Sequence, residues 1–283
     1  MNAVERGFRA WASAEVSSRS LALTRIFICT LFLVRFNMHW GLHKFETHPW
    51  LVANLALMFV AMWLTLVGYK TRISSIVLAA TFSMAFWYWG RMEGVRQLGG
   101  GNHPFYVLLG LACSPCGRSL SIDRMLAVRR ARARGETPPS ERMPWLYLEL
   151  FVAGFCVMYF WAGMDKIDAG WLSGDRLERI FMRTWIGSDA LGVAPWLHPL
   201  SVLSAWFTTF VEFSMVPLLA WRRTRPYAMW LALLFHFGIF FTLNAPDFTM
   251  AIFASYIVCL SPQWVHRAIE DVTSDSGVTA SAG

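Results

Sequence analysis

Charge is scarce in this sequence: 15% of its 283 residues are Asp, Glu, Lys or Arg, against about 25% in soluble domains. Lysine is scarcer still. Only Lys44, Lys70 and Lys166 stand among 25 basic residues, so positive charge is ordinarily supplied by arginine. The cysteines number five, an odd count. Cys29, Cys156 and Cys259 lie in apolar stretches, where a thiol behaves as a small hydrophobe, so a secreted disulfide framework is excluded. The first twenty residues carry Arg6, Arg9 and Arg19 and no apolar core of signal-peptide length, so no cleavable leader is expected. No internal repeat is evident.

What the chain has instead is apolar sequence. Hydrophobic residues make up 56%, with 22 Phe and 15 Trp, and they gather into runs of the length that crosses a bilayer. Such runs exclude disorder and an ordinary soluble domain. Spans are predicted near 21–42, 50–68, 73–90, 104–117, 145–164, 196–221, 227–244 and 248–262. The fold class expected is all-α, a polytopic membrane bundle of about eight transmembrane helices, because backbone groups in lipid must be satisfied internally.

The formal charge of +7 does not point to nucleic acid, since the basic residues sit between the apolar runs. With the N-terminus inside, seventeen Lys and Arg fall on the inner side, seven of them from Arg118 to Arg142, and seven on the outer; Arg35 lies within the first span. That asymmetry places both termini in the cytoplasm. The organisation expected is therefore an amphipathic segment over 1–20, with Val4, Phe8, Trp11 and Ala12 at helical spacing on the membrane surface. A transmembrane domain over 21–262 follows, its halves 21–126 and 145–262 joined by a basic cytoplasmic loop, 127–144. A cytoplasmic, largely disordered tail over 263–283 completes the chain.

An ionisable residue within a span is costly unless it is paired or faces water. Glu212 and His236 lie at similar depth in consecutive spans and are expected to form an intramembrane polar pair. Arg25 and Glu149 match likewise near the inner surface, as interhelical glue. His39, His43, His48, His103 and His198 map to the outer face. His39 and His43 share a helix face, but no carboxylate with recognised spacing follows them, and no metal ligand is assigned. Cys113-Ser-Pro-Cys116 has the spacing of a redox motif without its βαβ context and reads as a structural turn. Lys166, one of three lysines, ends a span at the outer boundary. It is either a snorkelling residue paired with Asp165 or Asp168, or a desolvated base.

The segment around Lys166 resembles the transmembrane part of the vitamin K-dependent γ-carboxylase family, the HTTM group, whose motif is YF-x-AG-x-x-K-L-D-x-x-W. Here it comprises Tyr159, Phe160, Ala162, Gly163, Lys166, Ile167, Asp168 and Trp171, with Ile for Leu. Asn102-His103 is similar to the family's Asn-His-x-x-Tyr. Gly68-Tyr69-Lys70-Thr71-Arg72, Ser119 to Arg124, Glu212 before Pro217, and His236 before Phe240 and Phe241 complete an ordered set over about 20–262.

The resemblance implies a membrane enzyme that uses a reduced quinone (vitamin K hydroquinone or menaquinol), O2 and CO2, a carbon-carbon lyase of the carboxylase type. Lys166 would be the base that deprotonates the quinone, with His103 and Asn102 at the substrate carbon, and with Trp161 and Trp171 as cofactor contacts. The active site would face outward from a plasma or inner membrane. Asp165 stands where the animal enzyme has a second lysine, and no large extramembrane domain is expected after the last span. The expected partners are therefore the bilayer and a peptide, lipid or small-molecule substrate, not nucleic acid. Two other classes remain open: a non-catalytic DoxX-like component that binds quinone or assists an oxidoreductase, and a transporter or metal-handling protein.

Overall fold

The computed structural model describes residues 13–39, 49–92, 103–187, 194–243 and 246–278. The architecture is all-α apart from one small ribbon. In chain order the elements are β1 (Glu15–Ser17), α1 (Arg19–His39), α2 (Pro49–Val67), α3 (Thr71–Met92), α4 (His103–Cys113), α5 (Ile122–Ala133), β2 (Arg142–Pro144) and α6 (Leu146–Met164). Then come α7 (Ala169–Leu172), α8 (Asp175–Phe181) with a π-helical turn over Met182–Ile186, α9 (Leu197–Ala220), α10 (Arg225–Leu243), α11 (Pro246–Tyr256) and α12 (Pro262–Val278). Each of the eight apolar runs read from the sequence contains a helix. Among the described residues, α2, α6 and α9 are long and apolar enough to cross a membrane. The 19 residues of α2 or α6 rise about 28 Å, close to the roughly 30 Å of bilayer hydrocarbon.

The chain forms two compact units. The first comprises the described residues within 1–96, 104–151 and 254–283, and the second those within 97–103 and 152–253. In the first unit, α2 separates two faces. Leu51, Leu55, Met58, Ala61 and Met62 are buried at helical spacing, while Leu57, Val60, Trp63 and Val67 are exposed, an apolar surface that suits lipid and not water. Buried Asn54 donates to the Thr81 carbonyl of α3 at 3.0 Å, a polar tie of the kind that holds helices together in a bilayer.

Two of the ordered sequence motifs meet in this unit. The turn from α2 to α3 contains Gly68 at φ +70° and Lys70 at φ 45°, and the Leu120 backbone is also left-handed, at φ 48°. The Gly68 carbonyl accepts from the Asp123 amide at 2.9 Å. In return the Asp123 carboxylate accepts from the Lys70 amide at 2.8 Å and from the Thr71 amide and hydroxyl at 2.7 Å each. Burial opposes ionisation of Asp123, but these donors, the Thr71 hydroxyl foremost, hold its carboxyl below the usual carboxylate range. A Cβ at Gly68 would stand 2.2 Å from Arg25 Nη1 and 2.3 Å from Ser121 Cβ, so only glycine fits this close left-handed turn. Arg25, fully buried, donates to the Leu120 carbonyl.

Four expectations are corrected in this unit. Glu15–Ser17 is a strand, not part of a surface helix: it pairs antiparallel with Arg142–Pro144, Val16 opposite Met143, and both of those side chains are buried. Residues 1–12 of the expected amphipathic segment lie outside the described residues. The basic connection 127–144 is not all loop, because α5 runs to Ala133, capped by Ser121, whose side chain accepts from the Arg124 amide. The tail is helical to Val278 in α12, since Pro262 suits a first helical turn and Val265, one turn on, is buried. Ser17 Oγ meets His266 Nδ1 at 3.2 Å, and Arg19 bonds Glu141 at 3.0 Å and the His266 carbonyl at 2.9 Å. Finally, Arg25 and Glu149 do not pair: Arg25 takes the Leu120 carbonyl, whereas Glu149 accepts from the indole of Trp145, the residue just before α6.

In the second unit, α9 and α10 expose apolar stripes. Leu203, Trp206, Phe207 and Phe210 mark one; Tyr227, Trp230, Leu234, Phe237 and Phe241 mark the other, at the three- and four-residue spacing of a helix face. Pro217 sits in the last turn of α9, where its ring cannot donate to the preceding turn. Trp171, Leu177, Phe181, Met182, Ala194, Leu197 and Ala205 form a buried core. It fixes α7 and α8 against the start of α9.

Candidate functional site

A buried polar cluster of the second unit is built from the end of α6. The chain leaves that helix through tightened turns, with Lys166 N–H bonded to Gly163 O at 3.1 Å and Ile167 N–H to Met164 O at 3.1 Å. The Lys166 side chain folds back along the helix. Its Nζ donates to the Ala162 carbonyl at 3.1 Å and to Glu212 Oε1 at 2.9 Å. A cation at a helix C-terminus satisfies carbonyls that the helix leaves open and meets the negative end of its dipole. Gly163 permits the approach of α9, because a Cβ there would lie 3.0 to 3.2 Å from the Phe213 ring.

The rest of the motif completes the setting. Asp168 is the N-cap of α7 and accepts from the Trp171 amide at 3.0 Å, while its other oxygen holds Arg176 at 3.1 Å. That cap aims Trp171, whose indole donates to the Ala205 carbonyl at 3.2 Å and whose ring lies 5.2 Å from Lys166 Nζ, within cation-π range. Lysine and carboxylate are unequally covered, at 20% and 8% side-chain exposure. Glu212 Oε2 is buried with no hydrogen-bond partner among the described residues. A carboxylate oxygen in that condition is an acceptor in want of a donor.

The expected Glu212–His236 pair does not form. Glu212 takes Lys166, and His236, itself 2% exposed, shares a 2.9 Å hydrogen bond with Tyr159 Oη. Neither alternative for Lys166 named an acid correctly: Asp168 is committed to the cap and Arg176, and Asp165 is exposed. Tyr159 and Lys166 are seven residues apart, two turns of helix, so the YF-x-AG-x-x-K spacing aligns them along one side of α6. Trp171 belongs to the site. Trp161, 59% exposed, instead packs edge-on to Phe160 at the surface of α6.

Four of the ordered motifs thus resolve into two constructions, the Gly68–Asp123 lock and the Lys166–Glu212–Trp171 cluster. A model of the family described as HTTM domain matches residues 21–264. The chain belongs to the HTTM family. That domain is the transmembrane domain of the vitamin K-dependent carboxylase family, and this HTTM chain is a membrane protein. No solved structure matches it.

Of the other expected site residues, Asn102 and the side chain of His103 lie outside the described residues, as do those of His39, His43 and His48. Cys113 and Cys116 are free thiols, the first exposed and the second buried with its Sγ directed at the Leu111 carbonyl. Sequence reasoning missed the partnership of Lys166 with Glu212. Its signal was present, since Lys166 is a rare lysine at the end of one span and Glu212 a rare acid within another. Depth was counted from the inner ends of the spans, which pairs groups only if side chains extend level with their own backbone. Lys166 reaches back by a full turn.

Proposed function

We propose that this HTTM protein is an integral membrane enzyme that uses a reduced quinone, O2 and CO2 to modify a peptide, lipid or small molecule. In this reading its eight apolar helical segments cross the membrane, both termini are cytoplasmic, and the site faces outward. The seventeen-to-seven distribution of basic residues supports that topology. The observation that carries the chemistry is the Lys166–Glu212 pair with its buried, unpartnered Glu212 Oε2.

The residues fit a reduced quinone: the orphaned oxygen would accept from a phenolic hydroxyl. Such a quinone, when bound, supplies with oxygen the strongly basic species needed to remove an unactivated proton. The protein's own part is to receive the first proton and to hold geometry. Lys166 and Glu212 together carry no net charge, so accepting one proton at Oε2 leaves the pair cationic, with the charge on Lys166 Nζ. That charge, held by the Ala162 carbonyl and the Trp171 ring, would stabilise an adjacent anion. Lysine and glutamate thus act as one base. Asn102 and His103 are retained as the groups expected at the substrate carbon, and Trp161 as an outlying cofactor contact.

A second reading, a non-catalytic quinone-binding or oxidoreductase-associated component, is favoured by the completeness of the Lys166 contacts, which would also serve a purely structural ion pair. The two are separated by incubating membranes that contain wild type, Lys166→Ala or Glu212→Gln with vitamin K hydroquinone or reduced menaquinone and oxygen, then assaying quinone epoxide. Epoxide from wild type, lost in Lys166→Ala and reduced in Glu212→Gln, is the expected result. Undiminished epoxide in folded Lys166→Ala, or none from folded wild type, would overturn the catalytic reading.

A further inference from the structure

A second cluster stands in the same unit, and the proposed chemistry does not use it. Asp175 and Glu178 are three residues apart on α8 and therefore share a face; His198 is the second residue of α9. One ligand atom from each, two carboxylate oxygens and an imidazole nitrogen, lie within 4.8 Å of one another. Glu178 is buried to 4% side-chain exposure, with His198 Nδ1 against its Oε2 at 2.6 Å. Asp175 is exposed, and its carboxylate has no partner among the described residues. Arg176, the adjacent cation, is held by Asp168.

We propose that Asp175, Glu178 and His198 form a binding site for a divalent first-row metal ion of the zinc type. Mixed imidazole and carboxylate donors suit such an ion, with water completing its coordination. Oxygen and nitrogen ligands at about 2.0–2.2 Å from a tetrahedral zinc stand about 3.3–3.6 Å apart. Donors that lie within 4.8 Å of one another reach that spacing by drawing in, while the 2.6 Å His198–Glu178 contact opens. Both adjustments fall to exposed side chains. The backbones need not move, because Leu177 and Phe181 of α8 and Leu197 of α9 belong to the buried core, and ligands on elements already fixed by packing are held close to binding geometry. The ion ties α8 to the start of α9.

The test uses the full chain purified in detergent and stripped with chelator, with Zn2+ as the stabilising probe and Co2+ as the spectroscopic one. Zn2+ should raise the thermal midpoint of the wild type, and Co2+ should bind one equivalent with visible d–d absorption. Asp175→Asn should keep the metal-free midpoint yet need at least about tenfold more Zn2+ for half the effect, and His198→Gln should lose the Co2+ band. No response in wild type, or the same response in Asp175→Asn and His198→Gln, would overturn the site. Epoxide formation is not the readout, so failure here leaves the quinone reading standing, and the converse holds.

Discussion

Replacing Lys166 by Met strips Glu212 of the cation that donates to it, and Glu212 is 8% exposed. Removing one partner of a buried ion pair costs about 3–5 kcal/mol, because the other charge is left uncompensated. Lys166 is 20% exposed, so some water already reaches the pair and the lower end, about 3 kcal/mol, is expected. Glu212→Gln keeps the shape and one acceptor for Lys166, which retains the Ala162 carbonyl; about 1–2 kcal/mol is expected from that change. The double variant should cost less than the sum, with a coupling of about 1–3 kcal/mol, since neither charge is then stranded. Denaturant unfolding of the four proteins in one detergent, followed by far-ultraviolet circular dichroism, measures the cycle. Additivity within about 0.5 kcal/mol would refute a direct pair. The same four proteins also separate stability from chemistry: a double variant that is folded and epoxide-free places the loss on the base and not on the fold.

The Gly68–Asp123 lock makes its own predictions. Asp123→Asn sets an amide N–H2 against the donors of Lys70 and Thr71, and about 2 kcal/mol of stability should be lost at neutral pH. Because the folded-state carboxyl of Asp123 titrates below its ordinary range, its contribution is full above the unfolded value near pH 4. It is lost as pH falls through the lower folded value, so the acid limb of a midpoint-against-pH curve should flatten in Asp123→Asn; an unchanged limb counts against the three bonds. Gly68→Ala combines a left-handed backbone with a Cβ 2.9 Å from the Ser121 Cα. A loss of about 2–4 kcal/mol is expected by thermal unfolding, and a wild-type midpoint would show that the turn does not fit as described.

The helices were legible because apolar run length and the cost of unsatisfied backbone in lipid leave few alternatives, and the bounds of α2, α6 and α9 fall within about two residues of those read from the sequence. Connections were less legible. Val16 and Met143 lie 127 positions apart, and nothing in either short segment announces that they pair. Residues Ser119 to Arg124 could be noticed as a motif, but that Asp123 reaches the amides of Lys70 and Thr71 depends on two left-handed turns whose positions at Lys70 and Leu120 carry no glycine signal. In the site, Lys166, Glu212, His236 and Trp171 were all named from residue type and spacing, while their pairing was not, because side-chain reach is not contained in span depth. The Asp175–Glu178–His198 group was missed for a related reason. The histidines were compared with one another along the sequence, and the carboxylates that meet His198 come from the short helix packed beside it.

These constructions bear differently on what family membership means. The Gly68–Arg72 and Ser119–Arg124 motifs are accounted for by hydrogen bonds and steric fit that any chemistry on this scaffold would require, so matching them speaks for the fold. The Lys166 segment divides further. Gly163 and Asp168 are explained by the approach of Phe213 and by the cap of α7, again structural needs. What structure alone does not require is a lysine whose partner keeps one buried oxygen unsatisfied, since a methionine and a leucine of similar volume would pack there without stranding a polar atom. In the proposed reading the reaction is therefore to be sought at Glu212 Oε2 and the amine opposite it. An HTTM chain that retained the lock and the capped turn but replaced both charges would be expected to keep the architecture and lose epoxide formation.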